Sequence, residues 1–211
     1  MTRIEAVVSD FGGVLTVPLL DSFLDYERQS GISPEALGKA MGAITTREGA
    51  NPMFELERGA ITADAFLDAL ERELSAQRGE TVSMRGFSDH YFANLHPNDA
   101  MIDYMRGLKI RGYKLAVCTN NVREWQPLWR PRMPIDEIFD VVIDSGFVGF
   151  RKPDPEIYEL TLTGLGVSAP EALLLDDFEV NCTAARELGM SAVQFHSTDQ
   201  AIAEIEMALA V

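Results

Sequence analysis

Residues 4–13 read Ile-Glu-Ala-Val-Val-Ser-Asp-Phe-Gly-Gly, a short apolar run that ends at Ser9-Asp10 and is then interrupted by Gly12-Gly13. Such a run is typical of a strand buried on both faces inside a parallel sheet. In open α/β sheets, ligands bind at the carboxyl ends of the strands. The segment therefore predicts a central strand with Asp10 at a functional site.

Beyond residue 98 the chain alternates regularly between helix and strand patterns. Successive βαβ units form a parallel sheet with helices on both faces, so the predicted fold class is α/β with three layers. We predict helices over residues 100–111, 122–130, 154–165 and 179–188 and a final helix ending at Ala210, with strands over 114–118, 141–143, 172–175 and 191–195.

The residues between the first strand and this alternation have a different pattern. Apolar residues recur there at helical spacing, with Thr62 as a predicted N-cap and Ser33-Pro34 as another helix start. We therefore predict a discontinuous α/β domain of residues 1–16 and 97–211, interrupted by a small all-helical domain of residues 17–96.

Composition limits the classes of partner. The 211 residues include 18 Lys and Arg against 33 Asp and Glu, a formal net charge of -15, which disfavours nucleic acid and anionic membrane surfaces. We find no signal-peptide pattern and no membrane-spanning run, and Cys118 and Cys182 form no CxxC pair. We expect a cytoplasmic monomer or homodimer that binds no nucleic acid and no membrane.

Four predicted strand ends carry polar residues that the fold would bring together. These are Asp10, Thr119-Asn120, the loop to Lys152, and Asp176-Asp177. Three converging carboxylates repel one another unless a cation neutralises them, and Mg²⁺ prefers carboxylate, carbonyl and water oxygens. We predict Mg²⁺ as the cofactor. Its predicted protein ligands are Asp10, the Gly12 carbonyl, Asp176 and Asp177.

The same strand ends offer groups that favour phosphate. Lys152 directly precedes Pro153, which together with Pro155 restrains the surrounding backbone, and Thr119 and nearby backbone amides can donate hydrogen bonds to phosphate oxygens. We predict catalytic roles for Asp10, Thr119 and Lys152. The predicted substrate-binding residues are Gly12, Gly13, Thr119, Asn120 and Lys152.

In this order, the segments resemble the four motifs of the haloacid dehalogenase superfamily. They are Asp10-Phe11-Gly12-Gly13-Val14-Leu15-Thr16, then Val117-Cys118-Thr119-Asn120, then Lys152-Pro153-Asp154-Pro155, then Leu175-Asp176-Asp177 followed by Asn181. The resemblance implies a Rossmannoid core in which Asp10 forms an aspartyl-phosphate, and a helical cap that selects the substrate and excludes water. It implies a Mg²⁺-dependent phosphatase acting on a small phosphorylated metabolite.

The chain departs from the phosphatase pattern at Gly12, where the resemblance implies an Asp that serves as general acid and base. Loss of such a group typically costs about 10²–10⁴-fold in rate. A phosphatase remains our first hypothesis. The alternatives are a dehalogenase or phosphonate hydrolase, and a non-catalytic phosphometabolite-binding or regulatory protein.

Several other residues have an ordinary and a functional interpretation. We expect Trp125 and Trp129 to pack rather than to bind ligand. His90 and His96 could replace the missing acid and base, although a surface or linker position is the expectation. Arg47 and Arg58 could hold an anionic substrate, and solvated surface positions are expected for both.

Overall fold

The computed structural model describes residues 2–17, 19–93 and 95–210, with the backbone alone over 19–22. Met1, Pro18, Asn94 and Val211, which fall inside the two predicted domain ranges, lie outside the described residues. Within the described residues, no helix is long and apolar enough to cross a membrane.

A parallel five-stranded sheet, ordered β3-β2-β1-β4-β5, forms the centre of the α/β core. Its strands are β1 (Ala6–Ser9), β2 (Lys114–Thr119), β3 (Val141–Asp144), β4 (Ala172–Asp176) and β5 (Ser191–Gln194). In register, Ser9 pairs with Val117 of β2 and Leu175 of β4. Because β1 is the middle strand, the residue that follows it lies between the ends of β2 and β4.

Helices cover both faces of this sheet, as predicted for the α/β class. Side chains of β1 alternate between two apolar clusters, with Val7 in one and Ala6 and Val8 in the other. The core helices are α6 (Asp99–Ile110), α7 (Gln126–Trp129), α8 (Ile135–Ile138), α9 (Ser145–Val148), α10 (Pro155–Leu165), α11 (Glu179–Glu187) and α12 (Thr198–Leu209).

The segment between β1 and α6 is helical in its described part. It contains α1 (Leu19–Ser30), α2 (Pro34–Glu48), α3 (Pro52–Glu57), α4 (Ala63–Arg78) and α5 (Phe87–Ala93). The predicted N-caps are present, since the Ser33 and Thr62 side chains accept hydrogen bonds at the starts of α2 and α4. We call this segment the cap.

The predicted helix over residues 122–130 is wrong in detail. The chain there forms a 3₁₀ turn (Arg123–Trp125), the single turn α7 and a second 3₁₀ turn (Arg130–Arg132). Pro127 and Pro131 have no N–H to donate and their rings clash with a continuing α-helix. Apolar residues do recur at helical spacing here, but the two prolines divide the segment into short turns.

Cap and core share one apolar cluster. Leu56, Phe66 and Leu70 of the cap belong to the same buried cluster as Val7 of β1 and Leu115 of β2. Burial of apolar surface across this boundary holds the cap against the carboxyl ends of the strands.

Candidate active site

The strand-end residues predicted from sequence do converge. The Asp10 amide donates to the Leu175 carbonyl at 2.8 Å, which places the Asp10 backbone beside the end of β4. β4 ends at Asp176 and β2 ends at Thr119, both buried. Parallel strands therefore present the nucleophile candidate, a hydroxyl and an acidic pair at one edge of the sheet.

Three carboxylates form a tight group at this edge. One oxygen from each of Asp10, Asp176 and Asp177 lies within 4.8 Å of the others. Asp176 already has partners on both oxygens, because Oδ2 binds Lys152 and Oδ1 accepts from the Phe178 amide and the Asn181 side chain. Asp177 Oδ1, in contrast, is buried with no hydrogen-bond partner in the described part of the chain.

Gly13 makes room for this group. Its φ of +80° is in the left-handed region, and a Cβ built there would lie 2.8 Å from Asp177 Oδ2. Glycine therefore meets both the backbone conformation and the close approach of the carboxylate.

Lys152 lies between two of the carboxylates. Its Nζ is 2.7 Å from Asp10 Oδ1 and 2.6 Å from Asp176 Oδ2, and the residue is 1% exposed. Burial alone would lower the lysine pKa, but Asp10 and Asp176 outweigh it and raise that pKa well above its ordinary value. The ammonium is therefore held in the charged form.

The Asn120 side chain fixes the loop that carries Lys152. Its Oδ1 accepts from the Lys152 amide at 2.7 Å and its Nδ2 donates to the Lys152 carbonyl at 3.0 Å. Both ends of the amide are thus committed to positioning the lysine. Asn120 also borders the cavities beside this loop.

The carboxylates carry more negative charge than Lys152 neutralises. Burial raises the pKa of Asp10 to about 7, with Lys152 opposing the shift and Asp176 and Asp177 adding to it. Burial and the neighbouring Asp176 raise the pKa of Asp177 to about 6. Three ionised carboxylates and one ammonium give a formal charge of -2, which one divalent cation would balance.

Two cavities meet at this edge of the sheet. One of about 520 Å³ is bordered by Asp10, Lys152 and Arg151, and we call it the phosphate cavity. The other, of about 190 Å³, lies between cap and core, and six of its fourteen lining residues are aromatic; we call it the aromatic cavity. Four residues border both: Gly12, Glu57, Thr119 and Asn120.

A model of the haloacid dehalogenase-like hydrolase family matches residues 4–189, which includes every strand end described above except that of β5. The chain belongs to this hydrolase family. The family assignment agrees with the resemblance carried by the four motifs and with the parallel sheet.

Among curated relatives, a sesquiterpene phosphatase of Aspergillus oryzae is 28% identical over 94% of this chain and 92% of its own length. Bifunctional epoxide hydrolase 2 of Mus musculus is 27% identical over 93% of this chain, but this chain spans only 37% of that protein.

Solved structures share the fold. A haloacid dehalogenase-family enzyme of Bacteroides thetaiotaomicron, in complex with magnesium and inorganic phosphate, has a TM-score of 0.65 at 21% identity over 90% of this chain and 93% of that one. An L-2-haloacid dehalogenase has a TM-score of 0.72 at 18% identity over the full length of both chains. At these identities the likeness concerns the fold, which both reactions share.

Two ion pairs join cap to core beside Lys152. Arg151 Nε lies 2.6 Å from Glu57 Oε2, and Arg58 binds Asp154 at 3.0 Å. The two cap residues, Glu57 and Arg58, are adjacent in sequence. Their core partners, Arg151 and Asp154, lie on either side of Lys152. We call these two pairs the latch.

The latch was not predicted. Arg58, expected at a solvated surface position, instead pairs with Asp154 across the boundary, and Arg47 pairs with Glu73 and Glu48 within the cap. Glu57 is the residue that sequence reasoning missed. Burial raises its pKa although Arg151 opposes the shift. Glu57 could be identified only from the contact between cap and core, because no sequence motif surrounds it in α3.

The remaining candidates have other positions. Trp129 is fully buried and packs against Phe11 with ring centroids 4.6 Å apart, which confirms a packing role. Trp125 packs in the wall of the aromatic cavity. The His90 ring lies 5.8 Å from that of Tyr26, and His96 is exposed at the junction of cap and core.

Proposed function

We propose that this hydrolase is a magnesium-dependent phosphatase of a small phosphorylated metabolite, with Asp10 as the nucleophile. The observation that carries the proposal is the position of Asp10 against Lys152, at the border of a cavity that Thr119 also lines. A similar sesquiterpene phosphatase supports phosphate esters as the substrate class.

The chemistry follows from these groups. An Asp10 oxygen attacks phosphorus, so that a bond to the carboxylate forms while the ester P–O bond breaks and the leaving oxygen departs with its electron pair. Water then attacks phosphorus, which releases inorganic phosphate and restores the Asp10 carboxylate. Overall, one water is consumed and its two hydrogens are divided between the alcohol and the phosphate.

Lys152 and Thr119 assist both steps by charge and orientation. Lys152 faces Asp10 at 2.7 Å, where it would also neutralise an incoming phosphate dianion. The Thr119 hydroxyl and the backbone amides beside it would donate to the phosphoryl oxygens, a role supported by the position of Thr119 and Asn120 at the phosphate cavity. The transferred group is thereby kept in line with the nucleophile.

The residues fit a resident Mg²⁺ ion. Asp10, Asp177 and the Gly12 carbonyl would hold it, since Asp177 Oδ1 is buried and unpartnered among the described residues whereas Asp176 is already bound on both oxygens. The ion supplies charge stabilisation for the phosphoryl oxygens when bound. It would also keep Asp10 ionised, which matters because burial raises that residue's pKa to about 7.

Gly12 affects the leaving group. With no carboxyl at this position, the departing alcohol is not protonated from there, so we expect the rate to fall steeply as the pKa of the leaving group rises. Gly12→Asp should flatten that dependence. A rate indifferent to leaving-group pKa in the native protein would contradict this account.

The dehalogenase alternative is less well supported. A mechanism on a neutral carbon–halogen bond has no use for a second and third carboxylate beside the nucleophile, and here all three lie within 4.8 Å. A binding-only role would leave the buried carboxylate of Asp10, held 2.7 Å from the Lys152 ammonium, without a purpose.

A panel of phosphorylated metabolites, assayed with and without magnesium, tests the proposal. We expect phosphate release that requires magnesium and is lost in Asp10→Asn. Release that survives in Asp10→Asn would exclude the mechanism. Halide release from a haloacid without magnesium would favour the alternative.

A further inference from the structure

The lining of the aromatic cavity indicates the chemistry of the part of the substrate that lies beyond its phosphate group. Its cap side is formed by Phe23 of α1 and by Phe87, Tyr91 and Phe92 of α5, and its core side includes Trp125. Neighbouring rings are in contact: the centroids of Phe23 and Tyr91 are 5.1 Å apart and those of Phe92 and Trp125 are 5.7 Å apart.

Three of the polar side chains that border this cavity already have partners within the protein. Asn120 uses both ends of its side chain on the Lys152 backbone, the Asn121 Oδ1 accepts from the Val122 amide at 2.8 Å, and Glu57 is ion-paired with Arg151. A sugar or glycerol group would leave hydroxyls without partners in such a wall, at considerable desolvation cost.

The apolar surface continues into the cap. A second cavity of about 210 Å³ shares Phe23, Met53 and Phe87 with the aromatic cavity. We call it the cap cavity. The rest of its wall consists of Pro34, Leu37, Met41, Phe66, Leu70 and Met84.

The three cavities lie next to one another and form a path, because neighbouring cavities share lining residues. The phosphate cavity meets the aromatic cavity at Gly12 and Thr119, and the aromatic cavity meets the cap cavity at Phe23, Met53 and Phe87. Burial alone raises the pKa of Tyr91, with no charged group contributing, which agrees with an apolar interior along this path. A ligand with its phosphate at Asp10 would direct its other end along apolar walls.

We propose that the substrate is the phosphate ester of an apolar alcohol, whose hydrocarbon part fills the aromatic cavity and extends toward the cap cavity. This inference rests on the proposed phosphatase function for the position of the phosphate. The hydrocarbon part replaces water along the rings, and each buried methylene adds a similar increment of binding.

Alkylphosphonates that cannot be hydrolysed test this without turnover. Calorimetric titration of the whole chain with ethyl-, butyl-, hexyl-, octyl- and decylphosphonate in magnesium buffer should give affinities that rise about three- to fourfold per methylene, with a negative heat-capacity change. A flat series, or no binding, overturns the inference.

Met41→Trp supplies the variant, because Met41 lines the cap cavity and lies outside the catalytic groups. The larger ring should cut the affinity gained beyond hexylphosphonate by tenfold or more and leave ethylphosphonate binding unchanged. Met207→Trp, at an exposed position, is the matched control and should behave like the native chain. Equal behaviour of the two variants counts against the path into the cap.

The outcomes separate this inference from the proposed function. Phosphate release from esters with a flat phosphonate series would keep the phosphatase and remove the apolar substrate. A graded phosphonate series with no hydrolysis of any ester would keep the apolar ligand and remove the phosphatase.

Discussion

At the scale of single residues, the Lys152 ammonium neutralises part of the negative charge of the carboxylates in the site. It is buried between Asp10 and Asp176 and is fixed through its own backbone by Asn120. Removing one member of a buried ion pair leaves the others without compensation, and this is strongly destabilising. The same contacts that position the nucleophile therefore stabilise the fold.

We expect Lys152→Met to lower the free energy of unfolding by about 3–5 kcal/mol at neutral pH in EDTA, measured by urea denaturation. The loss should shrink at acidic pH, because burial raises the pKa of Asp10 and this carboxylate then takes up a proton. Lys39→Met is the control, because Lys39 pairs with Glu35 at an exposed position, and it should leave stability nearly unchanged. Equal losses in the two variants would contradict a buried pair.

Comparing Gly13→Ala with Gly49→Ala distinguishes the cost of backbone strain from the effect of a Cβ on the carboxylate site. Gly13 and Gly49 have φ values of +80° and +79°, but a Cβ meets Asp177 only at Gly13. Both alanine variants should lose about 1 kcal/mol of stability. Weaker magnesium binding, measured by calorimetry, is expected of Gly13→Ala alone, and equal magnesium affinity in both variants would argue against Asp177 as a ligand.

Asp144, at the end of β3, is a residue that sequence reasoning overlooked. Burial raises its pKa from 3.8 to about 6, and its Oδ2 has no partner among the described residues. The unfolded chain loses this proton first, so the folded state binds more protons between those values and its stability falls as pH rises through that window.

Asp144→Asn should therefore raise stability at pH above about 6 by on the order of 3 kcal/mol, with no gain below about 4. An asparagine can still accept the Gly146 amide that caps α9. Asp140→Asn is the control and should destabilise at neutral pH, because Lys109 and the Leu115 amide lower the Asp140 pKa despite its burial. A gain that is independent of pH would exclude titration as the cause.

At the scale of elements, the outcome of prediction depends on how local the cause is. The capped starts of α2 and α4 and the strands β2 and β4 follow from residues within a few positions, and these were predicted. The segment over 122–130 was not, because the effect of Pro127 and Pro131 outweighs its apolar periodicity. The latch depends on residues more than 90 positions apart, which no local pattern reveals.

The latch should show energetic coupling between α3 and the loop before α10. A double-mutant cycle with Glu57→Gln and Arg151→Met is expected to give a coupling energy of about 1–2 kcal/mol, since both side chains are mostly buried and Arg151 also stacks on Phe54. The exposed pair Arg106–Asp103 provides the comparison and should couple weakly. Additive effects at positions 57 and 151 would show that this ion pair does not couple the cap to the core.

At the scale of the whole molecule, the parallel sheet allows the catalytic residues to be predicted from sequence, whereas the cavities formed by the cap cannot be predicted in this way. Strand ends meet at one edge by topology, so Asp10, Thr119, Lys152 and the acidic pair could be grouped from sequence. The aromatic cavity arises where α1, α3 and α5 face the core, and the cap cavity lies among the cap helices, so the walls of both come from distant parts of the chain. Their shape could not be read from periodicity.

The central claim is that Asp10 carries the phosphoryl group. The most direct measurement is to quench the native protein with acid during turnover, reduce it with borohydride, and analyse the peptide containing residue 10 by mass spectrometry. An aspartyl-phosphate is reduced to homoserine, so we predict homoserine at position 10, dependent on both substrate and magnesium. Substrate turnover with unmodified aspartate at position 10, or with homoserine at another carboxylate, would contradict the account.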